Sequence, residues 1–159
     1  MKVSGRCHCG AIQYEAEIDP AQVAICHCSD CQSLSGTSFR TVAFAPEHSF
    51  RLRAGKPTVY VKTADSGNKR EQTFCPTCGS PIYSRAAGQP MQSAPPPAGT
   101  APRMLGIRVG TLTQRGALVP TMQYFCRSAV PWALEDSAAP RLSGGAGSAE
   151  LADVRARSG

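Results

Sequence analysis

Apolar and polar residues alternate along residues 11–18. Ile12, Tyr14, Ala16 and Ile18 fall on one face, and Gln13, Glu15 and Glu17 on the other. A period of two over this length predicts a strand half-buried against a core. Asp19-Pro20 ends it. Shorter apolar and alternating runs predict further strands over 39–44, 49–52, 58–63, 70–74, 82–84, 104–109 and 122–126. Between several of them stand Ala45-Pro46, Gly55-Lys56-Pro57 and Asp65-Ser66-Gly67-Asn68, residues that fix φ, permit a positive φ or bond their own backbone. Residues 29–35 predict one short helical turn, stopped by Gly36. Many short strands joined by turns predict an all-β fold of short antiparallel sheets and exclude a Rossmann-type architecture.

Two segments break the pattern. Residues 86–102 are rich in Ala, Gly, Pro, Gln and Ser and include Pro95-Pro96-Pro97, so they read as a long flexible loop between two strands. Residues 137–159 are poor in large apolar side chains, which predicts a disordered tail with at most a weak helix around 149–155. One domain over 1–135 and a tail over 136–159 is the expected organisation for 159 residues. The start of the chain leaves no room for a signal peptide and no apolar run reaches membrane-spanning length, so a cytoplasmic protein is expected. The formal net charge is +6. That figure counts every cysteine as neutral, and charges on bound metal and thiolates change it.

The chemistry is concentrated in cysteine. Seven of the eight fall in three tight groups: Cys7-His8-Cys9-Gly10, Cys26-His27-Cys28-Ser29-Asp30-Cys31 and Cys75-Pro76-Thr77-Cys78-Gly79. Thiolates two or three residues apart can converge on one soft metal ion. Seven ligands divide into a closed set of four and an open set of three, and an open position is where zinc chemistry happens. Two Zn²⁺ per chain are expected. Seven thiolates on two Zn²⁺ would lower the net charge by three, which weakens the case for nucleic acid as a partner. In Cys7-x-Cys9 and Cys26-x-Cys28 the paired thiols share one face of an extended backbone, while His8 and His27 point the other way and are read as neighbours of the ligands. Pro76 and Gly79 fit a tight knuckle around the third group. Spacing leaves open which groups combine, since Cys28 and Cys31 with Cys75 and Cys78 would make an equally good four-thiolate site. A redox Cys-x-x-Cys pair would need a βαβ context. A disulfide framework does not suit such close pairs in a chain with no secretory signal.

The same residues carry a resemblance. Gly5-Arg6-Cys7-His8-Cys9-Gly10, the second group, Phe74-Cys75-Pro76-Thr77-Cys78-Gly79, Ser66-Gly67-Asn68, Val109-Gly110-Thr111-Leu112 and Cys126-Arg127-Ser128-Ala129-Val130-Pro131-Trp132 resemble the glutathione-dependent formaldehyde-activating enzyme family, to which centromere protein V is related. The resemblance spans about residues 3–135. It implies an all-β zinc fold, the β-tent, and a carbon–sulfur lyase that joins glutathione to formaldehyde as S-(hydroxymethyl)glutathione. It also implies a pairing: Cys7, Cys9, Cys75 and Cys78 around a structural zinc, and Cys26, Cys28 and Cys31 around a second, catalytic zinc. Gln123 departs from the pattern, standing where many relatives carry His, and the 86–102 loop is longer than the resemblance leads one to expect.

Three thiolates leave a zinc site with one net negative charge, a weak Lewis acid that stays thiophilic. A substrate thiol entering the open position would lose its proton there, beside an aldehyde carbon. The expected function is a zinc-dependent enzyme that forms or cleaves a thiol–aldehyde adduct, with a small thiol such as glutathione and a small aldehyde as partners and no membrane. The rival is a non-catalytic zinc module that binds a protein or nucleic-acid partner. Among other residues, Cys126 is read as a small buried hydrophobe rather than a fourth ligand or reactive thiol, and Trp132 as a core anchor that could instead wall a ligand pocket. Asp30 is read as a helix cap or as a group that orients a ligand. Arg40, Arg51, Arg53, Lys56, Lys62, Lys69 and Arg70 read as a solvated basic face or, more sharply, as carboxylate recognition. Ser66-Gly67-Asn68 is a turn that could offer N–H groups to an anion.

Overall fold

The computed structural model describes residues 1–64, 66–134 and the positions 139, 143, 146 and 148–150. The expected tail lies largely outside the described residues. Among these residues the chain forms β1 (Lys2–Arg6), β2 (Gln13–Glu17), β3 (Val23–Cys26), α1 (Ser29–Ser35), β4 (Arg40–Pro46), β5 (Arg51–Ala54), β6 (Thr58–Thr63), β7 (Lys69–Phe74), β8 (Pro81–Ala86), β9 (Met104–Arg108) and β10 (Met122–Tyr124), with short 3₁₀ turns. Strands β1 and β3 add to those the pattern predicted. The strand expected over 122–126 stops at Tyr124, because Phe125 turns into the left-handed region at φ 57°.

The strands make two sheets. The smaller has the order β1-β2-β5, and the larger the order β10-β3-β4-β9-β8-β7-β6. Pairing is antiparallel throughout except between β3 and β10, which run parallel. No helix is long and apolar enough to cross a membrane among the described residues.

Alternation dictates how the sheets meet. The inner face of the small sheet presents Val3, Tyr14 and Ala16, and the facing side of the large sheet presents Val23, Ala43, Ala45, Tyr83, Leu105 and Ile107, all in one buried core. An aromatic run bridges the layers: Tyr14 stacks on Phe50 at 5.2 Å, and Phe50 meets Tyr83 edge-on at 4.9 Å. Gly5 lies opposite Tyr14 in the ladder, and a Cβ there would fall 2.2 Å from the ring, so only glycine lets the tyrosine lie across β1. Glu47, 1% exposed, also sits on the core side. Arg103 (3.0 Å) and Arg85 (3.7 Å) pair with it, and the Gln92 N–H donates to it at 2.9 Å. Those contacts tether the segment between β8 and β9, so the predicted loop is in place but anchored near both ends.

Two apolar residues lie elsewhere than expected. Trp132 is 65% exposed in a 3₁₀ turn, and Cys126 is exposed at the start of another. Neither joins the core, because residues 126–134 run over the surface. The outer edge strand β6 exposes Val59, Tyr60 and Val61.

Candidate metal centres and cavity

Seven cysteines collect into two groups. In each, all the sulfur atoms lie within 4.8 Å of one another: Cys7, Cys9, Cys75 and Cys78 in the first, and Cys26, Cys28 and Cys31 in the second. A tetrahedral zinc with Zn–S bonds of about 2.3 Å holds neighbouring sulfurs about 3.8 Å apart. The contacts Cys7–Cys9 at 3.5 Å, Cys9–Cys75 at 3.8 Å and Cys26–Cys28 at 3.5 Å match that spacing, and all eight cysteines are free thiols. Both donor sets therefore fit a soft tetrahedral ion.

The first group is built from two turns. Cys7 and Cys9 stand between β1 and β2, Cys75 and Cys78 between β7 and β8, so the group ties the small sheet to the large one. Backbone geometry prepares the sulfurs. The Ile12 N–H donates to Cys7 Sγ at 3.2 Å, and Gly79, at φ 71°, closes its turn onto the Cys75 carbonyl. The Ser80 hydroxyl, 3.2 Å from Cys78 Sγ, is the main reason that thiol drops to about 5. His8 is exposed and belongs to neither group, as its facing predicts.

The second group is local. Cys26 ends β3, Cys28 caps α1 by accepting from the Cys31 N–H at 3.4 Å, and Cys31 lies in the first turn of the helix. Gly36, at φ 65°, stops the helix as the sequence predicts. Hydrogen bonding from Cys31 pulls the Cys26 thiol down to about 5, and Cys31 is pushed up in turn. A group that already favours a shared thiolate is a ready metal ligand. His27 points to the opposite side and is fully buried. Its Nε2 lies 2.8 Å from Gln123 Oε1 and its ring meets Phe39 edge-on at 5.9 Å. Gln123 thus secures the backbone between Cys26 and Cys28 from β10. Asp30 does not cap the helix, a role Cys28 takes; it pairs with Lys62 of β6.

What separates the groups is a cavity of about 340 Å³ over the face of the large sheet that turns away from the core. Cys26, Cys28 and Cys31 line it, with Arg40, Val42, Phe44, Lys62, Arg70, Gln72, Ser84, Gly106 and Arg108 from successive strands and Tyr124 and Phe125 at the β10 end. Gly106 and Ser84, paired in the ladder, form a low floor; a Cβ on Gly106 would come within 2.9 Å of Val42. Phe125 lines the cavity in the left-handed conformation that side chains avoid, a strain that recurs at ligand sites. Ser66 reaches the cavity from a turn closed by the Gly67 N–H on Ala64 O.

A glutathione-dependent formaldehyde-activating enzyme model matches residues 2–128. The chain belongs to this family. A solved structure of a Rhodobacter sphaeroides protein is also similar, at 23% identity over 69% of this chain and 87% of that one, with a TM-score of 0.49. In this formaldehyde-activating family member the basic middle third divides. Arg40, Lys62 and Arg70 line the cavity, whereas Arg51 and Arg53 line a separate groove of about 610 Å³ over the small sheet, where Arg53 pairs with Glu15. Lys56 and Lys69 are exposed. Sequence reasoning missed Arg108. Its signal was present: in Met104-Leu105-Gly106-Ile107-Arg108-Val109 the apolar residues Leu105, Ile107 and Val109 alternate with Gly106 and Arg108, which must face the other way.

Proposed function

We propose that this protein is a zinc-dependent carbon–sulfur lyase that joins a thiol to an aldehyde, glutathione to formaldehyde in the family's pattern, or cleaves the adduct. Cys7, Cys9, Cys75 and Cys78 hold a structural zinc, and Cys26, Cys28 and Cys31 hold a second one. Zinc in the second position supplies a thiophilic open coordination site that favours the deprotonated substrate thiol. The chain's own residues do the rest. The three thiolates fix the reacting position at one wall of the cavity. The Asp30–Lys62 pair holds α1 against β6, and Tyr124 and Phe125 narrow the β10 end. In the reaction a C–S bond forms, the aldehyde C=O becomes C–OH, and the thiol proton ends on that oxygen.

One observation carries this reading over a non-catalytic binding module: the three-cysteine group opens into a cavity, and among the described residues the four-cysteine group lines none of the five main cavities. A module that only bound a partner would need a surface patch and no cavity at an incomplete donor set. The test is metal analysis beside a glutathione–formaldehyde assay corrected for the spontaneous reaction. Wild type should hold about two zinc ions per chain and exceed the spontaneous rate, and Cys31→Ala should lose both about one zinc and the activity. A wild type that never exceeds the spontaneous rate with any small thiol would hand the case to the binding module.

A further inference from the structure

The cavity wall contains two buried arginines that no carboxylate pairs with among the described residues. In the antiparallel register Arg40 lies opposite Cys26, and Arg108 lies opposite Val42. Opposed residues share a sheet face with Cβ atoms about 5 Å apart. Arg40 therefore stands beside the first thiol of the open group, with Arg108 on the same face one strand further. They are 5% and 6% exposed. Both reach toward one neutral acceptor, Gln72 Oε1, 2.8 Å from Arg108 Nη2 and 3.5 Å from Arg40 Nη1. Arg40 Nε and Nη2 and Arg108 Nε have no hydrogen-bond partner among the described residues. Burial and the charge of Arg40 lower the Arg108 guanidinium to about 9.

The opposite face of the same sheet shows how the chain treats a buried arginine when structure is all that matters. Arg85 has Glu71 at 2.7 Å and Glu47 at 3.7 Å. No carboxylate meets Arg40 or Arg108 among the described residues. Charge counting agrees. A divalent ion on three thiolates leaves one negative charge and Asp30 adds another, against the positive charges of Arg40, Lys62, Arg70 and Arg108. Two positive charges stay uncompensated among the described lining residues. Desolvated guanidinium groups without an anion are unfavourable, and their planar donor forks suit a carboxylate.

We propose that Arg40 and Arg108, bridged by Gln72, form a carboxylate subsite, and that the thiol taken by the three-cysteine centre is a mercapto-carboxylate, of which glutathione is one member. The proposal rests on the reading of Cys26, Cys28 and Cys31 as the thiol-binding centre. The carboxylate belongs to the thiol because a thiol at that centre lies beside Cys26 and hence beside Arg40. Arg40 and Arg108 then set specificity, and a short mercapto-acid should satisfy the site without a peptide.

Calorimetric titration of the metal-loaded protein with 3-mercaptopropionate, its neutral amide and propionate tests this without any variant. The acid should bind about tenfold or more tightly than the amide, the range of a charge-assisted hydrogen-bond pair. Equal affinity for acid and amide overturns the carboxylate subsite and leaves the thiol centre standing. If propionate equals the mercapto-acid and both exceed the amide, the subsite stands and the thiol centre falls. If nothing binds, both are overturned. In Arg40→Gln the acid-to-amide ratio should fall close to one, with metal content and melting temperature maintained. Loss of the second metal, or a lower melting temperature with the ratio intact, would show that the guanidinium serves the thiolates or the fold, and the subsite would be withdrawn.

Discussion

The two cysteine groups share a donor atom and a spacing, and differ in nearly everything else. The first takes its members from turns 66 positions apart, spans two sheets, and has Cys7 and Cys75 buried. The second comes from one strand end and the helix that follows, and it faces a cavity with cationic walls. A thiol group assembled from distant turns can act as a cross-link, so a metal held there would be coupled to the fold. A group assembled locally can exist whether or not the rest is tight, which leaves it free to hold an incomplete set. Closure and openness follow from where along the chain the ligands come from.

The comparison can be broken most severely at the first group. Cys78→Ser should leave the protein insoluble or unfolded, because structural zinc contributes about 10–16 kcal/mol in small domains and total stability is about 5–15 kcal/mol. Circular dichroism and solubility report it, and a soluble variant melting with the wild type would remove the structural assignment. Cys31→Ala should be milder: folded, short of about one metal ion per chain by elemental analysis, and easier to strip with a chelator. If it unfolds as Cys78→Ser does, the contrast between closed and open groups is lost. Gly106→Ala should cost about 1–3 kcal/mol, since its Cβ crowds Val42 and the backbone must give. A thermal melt measures this, and weaker binding of thiols should accompany it, because Arg108 Nη1 lies 3.8 Å from the added atom. The smallest effect is expected from deleting residues 140–159, whose composition offers little apolar surface. Zinc content and melting temperature should stay close to wild type, and a large loss in either would move the proposed domain boundary beyond residue 135.

Much of this was legible in the residues, for definable reasons. Period-two alternation located β2 and β4 through β9, and Gly36 marked the end of α1. Both thiol groups could be named, but their pairing came from the resemblance. Spacing sees only neighbours along the chain, and the meeting of Cys9 with Cys75 is set by sheet order. Strand β1 escaped because Lys2-Val3-Ser4-Gly5-Arg6 holds one large apolar residue, its other inward position being Gly5 beneath Tyr14. Strand β3 escaped because Val23-Ala24-Ile25-Cys26 has no polar alternation to read. Trp132 and Cys126 were misplaced for the converse reason: residue type predicts a preference for burial, and the surface path of residues 126–134 overrides it. Arg40 and Lys62 were recognised as basic but not as lining one cavity, since sheet order and register decide which cations share a face.

The parallel pairing of β3 with β10 has a consequence for the order in which the molecule is made. Gln123 meets His27 across 96 positions of sequence. At synthesis rates of about 5–20 residues per second, Cys26, Cys28 and Cys31 leave the ribosome roughly five to twenty seconds before Tyr124 and Phe125. During that interval the nascent chain carries its local chelate without the strand that completes the cavity. The expected sequence is metal capture first and closure of the mouth last, so the supply of metal during translation helps decide what fraction of chains mature. A synthetic peptide covering residues 22–37 should take up one Zn²⁺ on its own in a competition titration with a chromogenic chelator. If it takes up none, the order is reversed and the finished cavity must come before its ion.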